Sequence, residues 1–412
     1  MGCGLLGRKL AHSYSPQIHR YLGDYDYTLH EVEPAELEHF LLHSDFSGLN
    51  VTIPYKKDVI PYCAELSEAA KRVGAVNTII RQSDGRLLGH NSDYFGFLSM
   101  VKKSGLDVTD RKVLVLGSGG ASVTVTAVLQ ELGALPVVIS RTGTNNYENL
   151  DLHRDAAVIV NTTPVGMYPN CGVSPVDISQ FPGLKGMLDL IYNPARTKLL
   201  MDAEERGLIT ENGLWMLVAQ AKESAQWFTG QPILDDKIRY IYNQLRCQME
   251  NIVLIGMPGC GKSTVGKLLA EMLGKTYVDA DSSICKLAGK SIPEIFADSG
   301  ETAFRAMETT VLEELGKQSS LVIATGGGCV TRDENFSLLH QNSRIIWLER
   351  DLHSLPVTGR PLSKAGHLEE MYRIRQPLYR RFADYIVDNN GTPEETVKKI
   401  LSLEGIYETT GN

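Results

Sequence analysis

Two groups of residues in this sequence have types and spacings suited to chemistry. The first gathers hydroxyls, amides, one lysine and one carboxylate. AHSYSPQIH offers Ser13 and Ser15, two residues apart and so able to face one side of an extended segment. GLNVTIPYKK supplies Thr52 and Lys56, GAVNTI supplies Asn77, GHNSDYFGF supplies Asp93, LIYNP supplies Tyr192 and GLWMLVAQA supplies Gln220. Such a set suits a polyhydroxylated ligand. A lysine beside an aspartate can exchange a proton with a hydroxyl or carbonyl during hydride transfer. Taken singly, HSYSP also reads as a turn with capping serines and Lys56 as a solvated surface lysine.

The second group begins at GMPGCGKST (256–264), which fits G-x-x-x-x-G-K-[ST]. Gly259, Cys260, Gly261 and Thr264 would turn backbone N–H groups toward phosphates. Lys262 would reach the β/γ-phosphates and Ser263 would ligate Mg²⁺. Cys260 reads as a tolerated side chain in a loop that needs backbone, not as a nucleophile. Further on, YVDADSSI carries Asp279 and Asp281, which strand alternation would point to one face. One carboxylate could assist Mg²⁺ and the other accept a hydroxyl proton. GETAFRAME places Arg305 on a helix with Glu308 three residues on to steady it. LVIATGGG ends a strand in three glycines, among them Gly327, where a small ligand can touch backbone. HSLPVTGRPLSKAGH (353–367) reads as a lid carrying Arg360, and RIRQPLYRR adds Arg375. Arginines gathered around a small pocket suit an anionic substrate.

These groups need strands and helices to hold them. KVLVLG (112–117), PVVIS (136–140), AVIVN (157–161) and MLDLI (187–191) read as successive strands, with a helix over 121–133. A second series runs NIVLIG (251–256), TYVDAD (276–281), LVIATGGG (321–328) and RIIWLER (344–350). Strands alternating with helical patterns predict α/β domains with parallel sheets. GCGLLG reads as a buried first strand. A helix over 235–248 leads into the second series without a Pro/Gly/Ser-rich linker, placing a boundary near 248–250. GSGGA (117–121) follows a strand and opens a helix, as a dinucleotide turn does, with Gly117 and Gly119 in the first two positions and Ser122 in the third. After the next strand come Ser140, Arg141 and Thr142, with no acidic residue; a guanidinium there favours a 2′-phosphate.

The 412 residues exceed what one core usually organises, so two or three domains are expected. A net charge of −8 disfavours non-specific nucleic-acid binding. Neither a membrane span nor a signal peptide is expected. MGCGLL lacks the Ser or Thr that a myristoylation signal wants at its sixth residue. Seven scattered cysteines without a CxxC suit a reduced, cytoplasmic protein rather than a zinc site. His12 and His19 flank the serines and read as structural hydrogen-bonding groups.

Residues 1–247 resemble shikimate dehydrogenase, through HSYSP, NVTIPYK, GAVNT, NSDYFGF, GSGGA, SRT, NTTPVGM, DLIYNP and MLVAQA. The resemblance makes Lys56 and Asp93 the catalytic pair. It makes Ser13, Ser15, Thr52, Asn77, Tyr192 and Gln220 holders of the substrate 3-dehydroshikimate. It assigns NADP(H) to Gly117, Ser118, Gly119, Gly120, Ala121 and the Ser140–Thr142 turn, with Glu68 and Gly213 as further candidates. Residues 251–400 resemble shikimate kinase, through GMPGCGKST, DAD, FR, GGG, GRPL and RQPLYR. That resemblance makes Asp281 the base for the shikimate 3-hydroxyl and Asp279 a holder of Mg²⁺. Arg305, Arg375 and the backbone near Gly327 would bind shikimate, and Arg360 would close over the phosphate of ATP. Many relatives carry a lid arginine that stacks on adenine; the corresponding LHSLPVTG has none.

The expected architecture is α/β. A two-domain dehydrogenase comes first, with a substrate domain (1–93 plus 213–247) and a Rossmann-type NADP-binding domain (94–212). A P-loop kinase domain (249–412) with a five-stranded parallel sheet follows. The two would act consecutively, each folding on its own, in a monomer or small homo-oligomer. The rival readings are a quinate/shikimate oxidoreductase fused to another small-metabolite kinase, and a dehydrogenase fused to an ATP-sensing module.

Overall fold

The computed structural model describes residues 2–10, 13–355 and 365–403. Among the described residues the strands form three sheets, and contacts divide the chain into two compact units. One comprises Met1–Val165, Ser174–Tyr192 and Asp202–Tyr242; the other comprises Gly166–Val173, Asn193–Met201 and Asn243–Asn412.

The first unit contains two sheets. One is built from β1 (Gly2–Gly7), β2 (Asp26–Glu31), β3 (Gly48–Val51), β4 (Glu65–Leu66), β5 (Thr78–Arg81) and β6 (Leu87–His90), in the order β2-β1-β3-β5-β6-β4. β1 is the expected buried strand: all of it but Gly2 is inside. This sheet is not parallel throughout, as the sequence pattern had suggested. β5 runs antiparallel to both β3 and β6. For β5 and β6 the reason lies in the short connection from Arg81 to Leu87, turned by Gly85 at φ +85°. So short a link can join neighbouring strands only as a hairpin.

The other sheet holds β7 (Lys112–Leu116), β8 (Leu135–Ile139), β9 (Val158–Asn161), β10 (Gly186–Asp189) and β11 (Ile209–Asn212), in the order β11-β10-β9-β7-β8, parallel throughout. Val113, Val115, Val158 and Val160 are fully buried, the near-continuous apolar runs of a sheet covered on both faces. The helix Ser92–Ser104 starts where the Asn91 side chain accepts the Tyr94 N–H, and ends at Gly105 in the left-handed region. It packs on the helix Leu214–Thr229 at Gly96, where a Cβ would come within 2.9 Å of the Met216 carbonyl and Gln220 Cβ.

The second unit carries β12 (Asn251–Ile255), β13 (Thr276–Asp279), β14 (Leu321–Ala324), β15 (Ser343–Glu349) and β16 (Tyr385–Asp388), all parallel, in the order β13-β14-β12-β15-β16. Val253, Leu254, Ile323 and Ile346 on the sheet and Leu269 and Leu312 on helices are buried in one core. Each such side chain contributes roughly 1.5–3 kcal/mol by leaving water. The helix Lys262–Leu273 begins after Gly261 at φ +103° and ends at Gly274. The helix Ile292–Lys317 opens with a Ser291/Glu294 capping box and kinks at Gly300, which has φ +76°.

Residues 193–201, upstream of β12, belong to this second unit. The Arg196 N–H donates to the Gln341 carbonyl at 2.8 Å, its guanidinium donates to the His340 carbonyl at 3.1 Å, and the Ala195 N–H donates to Asn342 Oδ1 at 3.1 Å. The division between units falls inside the helix Asp236–Met249, at Tyr242–Asn243, ahead of the 248–250 boundary read from sequence. A fragment starting at 249 would omit these contacts.

Candidate functional site

In the first unit, a cavity of about 290 Å³ is lined by Ser13, Ser15, Thr52, Lys56, Asn77, Asp93, Tyr192 and Gln220. These residues come from places far apart in the sequence. Lys56 follows β3, Asp93 sits in the first turn of the helix Ser92–Ser104, and Gln220 lies on the helix Leu214–Thr229. Lys56 Nζ donates to Asp93 Oδ2 at 2.6 Å; their side chains are 33% and 19% exposed, so the pair is open to a ligand yet partly shielded. The Asn77 side-chain oxygen accepts the Ser92 N–H at 2.7 Å, which tethers Asn77 to the start of the Asp93 helix. The Tyr192 ring meets Tyr14 edge to face, and burial raises its phenol pKa, keeping it a hydrogen-bond donor.

Ser13 and Ser15 do not sit on one extended segment. Ser15 is the first residue of the helix Ser15–Leu22, and its N–H donates to Ser13 Oγ at 3.2 Å. Both reach the cavity because the chain turns there. His19 is buried on that helix with Nδ1 2.6 Å from the Tyr25 hydroxyl, stacked on Tyr27; His12 lies outside the described residues. Sequence reasoning missed Asn50 and the apolar wall of Leu5, Val51, Leu190, Met216 and Leu217. Met216 and Leu217 stand four and three residues before Gln220 on one helix face, which is the signal that could have found them.

Gly213, read as a cofactor candidate, lines this cavity, and a Cβ there would collide with the Leu190 carbonyl. Glu68 is exposed and paired with Lys71 at 2.8 Å, outside the cavity lining. The 117–121 turn lies at the C-terminal edge of the parallel sheet. Gly117 takes φ +103°, and its Cβ would come within 2.9 Å of Thr162 Oγ1. Gly119 caps the helix Gly120–Glu131, so Gly120 and Ala121 form its first turn. β7 pairs with β8 with Leu116 opposite Ile139, so Ser118 and the Ser140–Thr142 turn emerge side by side. Ser140 Oγ donates to the Thr142 carbonyl at 2.6 Å, and Arg141 and Thr142 are exposed. A helix N-terminus beside an exposed arginine fits a pyrophosphate together with a further phosphate.

In the second unit, a cavity of about 600 Å³ is lined by Gly259, Gly261, Lys262, Ser263, Thr264, Asp279, Asp281, Arg305, Gly327 and Arg375. Lys262 is buried, its ammonium donating to the Gly256 and Met257 carbonyls at 2.8 and 3.0 Å. Cys260 is fully buried with its carbonyl accepting from Asn389, so it offers the loop backbone only. The Ser263 hydroxyl donates to Asp279 Oδ2 at 3.1 Å.

Asp279 and Asp281 both face this cavity, though not by strand alternation. Asp279 ends β13 and caps the helix Ala280–Ala288, accepting the Ser282 N–H, while Asp281 sits in that helix's first turn. The strand read as 276–281 stops at Asp279 because the capping carboxylate starts a helix there.

Arg305 donates to Glu308 Oε2 at 2.8 Å and to Glu301 Oε1 at 3.2 Å. Glu308 is fully buried, and burial raises its pKa against the pull of Arg305. Arg375 donates to the Gly327 carbonyl at 3.0 Å. The glycines are needed for close approach: a Cβ on Gly328 would strike the Arg305 guanidinium, and one on Gly326 would come within 2.8 Å of Asp281 Oδ1 and Glu308 Oε1. Arg360 lies outside the described residues.

The shikimate kinase family model matches residues 258–404, and the shikimate dehydrogenase substrate binding domain model matches residues 5–79. Shikimate dehydrogenase (NADP(+)) of Caldicellulosiruptor bescii is 37% identical over 254 residues, covering 54% of this chain and 88% of that protein. The crystal structure of shikimate dehydrogenase 1 from Peptoclostridium difficile aligns with TM-score 0.54 and 36% identity, covering 59% of this chain and 97% of that one. Shikimate 5-dehydrogenase from Thermus thermophilus, solved in complex with NADP(H) and shikimate, aligns with TM-score 0.54 and 30% identity over 59% of this chain and 99% of its own.

Proposed function

Since the chain belongs to the shikimate dehydrogenase family and carries a C-terminal shikimate kinase domain, we propose that it performs two consecutive steps of aromatic amino-acid biosynthesis. The first unit reduces 3-dehydroshikimate to shikimate, and the second converts shikimate to shikimate 3-phosphate.

The observation that carries the first step is the Lys56–Asp93 pair in the 290 Å³ cavity. NADPH, when bound, would supply the hydride that the ketone carbon accepts. Lys56 donates a proton to the ketone oxygen as charge develops on it, so the carbonyl becomes a hydroxyl. Asp93 holds the ammonium in place until transfer. Ser13, Ser15, Thr52, Asn77, Tyr192 and Gln220 hold the carboxylate and hydroxyls of the ring. Gly117–Ala121 take the pyrophosphate, and Ser140–Thr142 take the 2′-phosphate through Arg141.

In the kinase step Asp281 accepts the 3-hydroxyl proton as that oxygen bonds to the γ-phosphorus, and the bond to the ADP oxygen breaks. Arg305 and Arg375 bind the substrate carboxylate, with Glu308 fixing Arg305. Lys262 and the backbone of 259–264 hold the phosphates of ATP, and Arg360 is assigned to the transferring phosphate. The 3.1 Å approach of Ser263 Oγ to Asp279 Oδ2 gives two oxygen ligands side by side. That fits Mg²⁺, which takes one or two protein oxygens and completes its shell from phosphates and water. When bound, Mg²⁺ supplies charge neutralisation on the phosphates. No helix of the described residues is long and apolar enough to cross a membrane. We place the enzyme in the cytoplasm as a monomer or small homo-oligomer, acting without nucleic acid.

Two assays on the purified chain test the proposal separately. NADP⁺ reduction with shikimate reads the first unit, and ADP release with shikimate and MgATP reads the second. Failure of either removes that half of the reading.

A further inference from the structure

Behind the dehydrogenase cavity lies a polar network that the mechanism above does not use. Ser224, on the helix Leu214–Thr229, is fully buried, as are Thr78 and Ser92. A serine in a helix interior usually faces water or bonds back to its own helix. Ser224 instead bonds to three other elements. Its Oγ accepts from Asn50 Nδ2 at 2.7 Å, donates to Ser92 Oγ at 2.9 Å and lies 2.9 Å from Thr78 Oγ1.

The directions of these bonds follow from their ends. The Tyr27 phenol, kept protonated by burial, donates to Asn50 Oδ1 at 2.8 Å. That fixes the Asn50 amide so that its NH₂ faces Ser224. Ser224 Oγ accepts from Asn50 and directs its single proton to Ser92 Oγ, leaving its second lone pair for the Thr78 hydroxyl. Ser92 Oγ also accepts Asn77 Nδ2 at 3.0 Å, and its own proton has two acceptors at 3.2 Å, Asn77 Oδ1 and Gln220 Oε1. The Asn77 oxygen already accepts the Ser92 N–H at 2.7 Å, which leaves the proton to Gln220. The Gln220 carbonyl is thereby pinned. Its NH₂ holds the Leu217 carbonyl at 2.9 Å with one proton, and the other is available to the cavity that Gln220 lines. The relay runs Tyr27, Asn50, Ser224, Ser92, Gln220.

We infer that Ser224 is a positioning residue for dehydrogenase substrate binding: it orients the Gln220 and Asn77 amides through Ser92 without touching substrate. Removing its hydroxyl breaks the relay at the middle. Asn50 and Ser92 lose their best partners, and the two amides facing the substrate lose their fixed rotamers. The interaction concerns the ring hydroxyls and carboxylate, not hydride transfer, so the effect falls on substrate affinity. The inference rests on shikimate being the substrate.

The test is steady-state NADP⁺-linked shikimate oxidation by the full chain and by Ser224→Ala. The expected result is a KM for shikimate raised about three- to tenfold, the loss of roughly one hydrogen bond. The turnover number and the KM for NADP⁺ should stay within about twofold, and kinase activity of the same chain should be unchanged. In a double-mutant cycle, Ser224→Ala should add little to the KM of Gln220→Ala, since one acts through the other. Ser224→Cys, which keeps a weak donor of similar volume, should recover part of the affinity. An unchanged KM for shikimate beside a lowered melting temperature would show a purely structural role, as would unfolding of the dehydrogenase in both Ser224 variants; additive effects in the cycle would also overturn the inference. If the wild-type chain does not oxidise shikimate, the underlying functional reading fails instead.

Discussion

Lys56 Nζ donates to Asp93 Oδ2 across 2.6 Å, joining the segment after β3 to the first turn of the helix Ser92–Ser104. In the proposed mechanism the lysine is the cavity's proton donor and the aspartate its anchor. Lys56→Ala is expected to lower the reductase turnover number by about 10²–10⁴-fold. Kinase activity on the same chain should be retained, which makes it an internal control for folding. A variant keeping most of its reductase rate would remove Lys56 from the mechanism.

The Ser263–Asp279 contact and the placement of Asp281 in the first turn of the next helix fit the two roles proposed for these carboxylates. Asp281→Asn keeps the shape of the side chain but cannot accept the hydroxyl proton. Phosphorylation should fall by about 10²-fold or more while ATP binding, measured by calorimetry, persists. Lys262→Ala should weaken ATP binding as well. Normal turnover by Asp281→Asn would require another base.

Arg141 emerges beside the 117–121 turn because β7 and β8 are paired in register. Arg141→Ala should raise the Michaelis constant for NADPH by roughly ten- to a hundredfold and that for NADH little, since NADPH alone carries the 2′-phosphate. The ratio of the two effects is the readout, and equal effects would show that Arg141 does not read that phosphate.

Burial of His19 lowers its pKa from 6.5 to about 3. Between these values the unfolded chain binds a proton that the folded chain refuses. Stability from this group is therefore intact above pH 6.5 and declines as the pH falls, by about 2 kcal/mol at pH 5. His19→Asn should flatten the dependence of unfolding free energy on pH between 6.5 and 5, whatever its cost in packing. Parallel curves for variant and wild type would show that His19 is not buried as a neutral group.

Much of the molecule was legible because local patterns set it. Apolar runs marked four of the five parallel strands in each of the second and third sheets, missing the edge strands β11 and β16, whose ITEN and YIVD are short and partly exposed, and the glycine turns marked where strands feed helices. Arg305 and Glu308 meet as their three-residue spacing requires. What stayed hidden depends on distant contacts. The apolar wall of Leu5 and Leu190 resembles ordinary core in a sequence. Asp281 belongs to a helix since Asp279 caps it, a competition that alternation cannot weigh. Ser224 carries no local signal at all, as its partners lie 132 to 174 residues away. The inclusion of Asn193–Met201 in the second unit follows from contacts across more than a hundred residues, such as Arg196 with His340.

The central claim is that one chain carries out both steps. Its most direct test is product analysis by mass spectrometry after incubating the purified chain with 3-dehydroshikimate, NADPH, ATP and Mg²⁺. The account predicts shikimate 3-phosphate, with one NADPH oxidised and one ADP formed per product, and accumulation of shikimate alone when ATP is left out. NADPH oxidation that stops at shikimate with ATP and Mg²⁺ present would contradict it, as would no oxidation of NADPH at all.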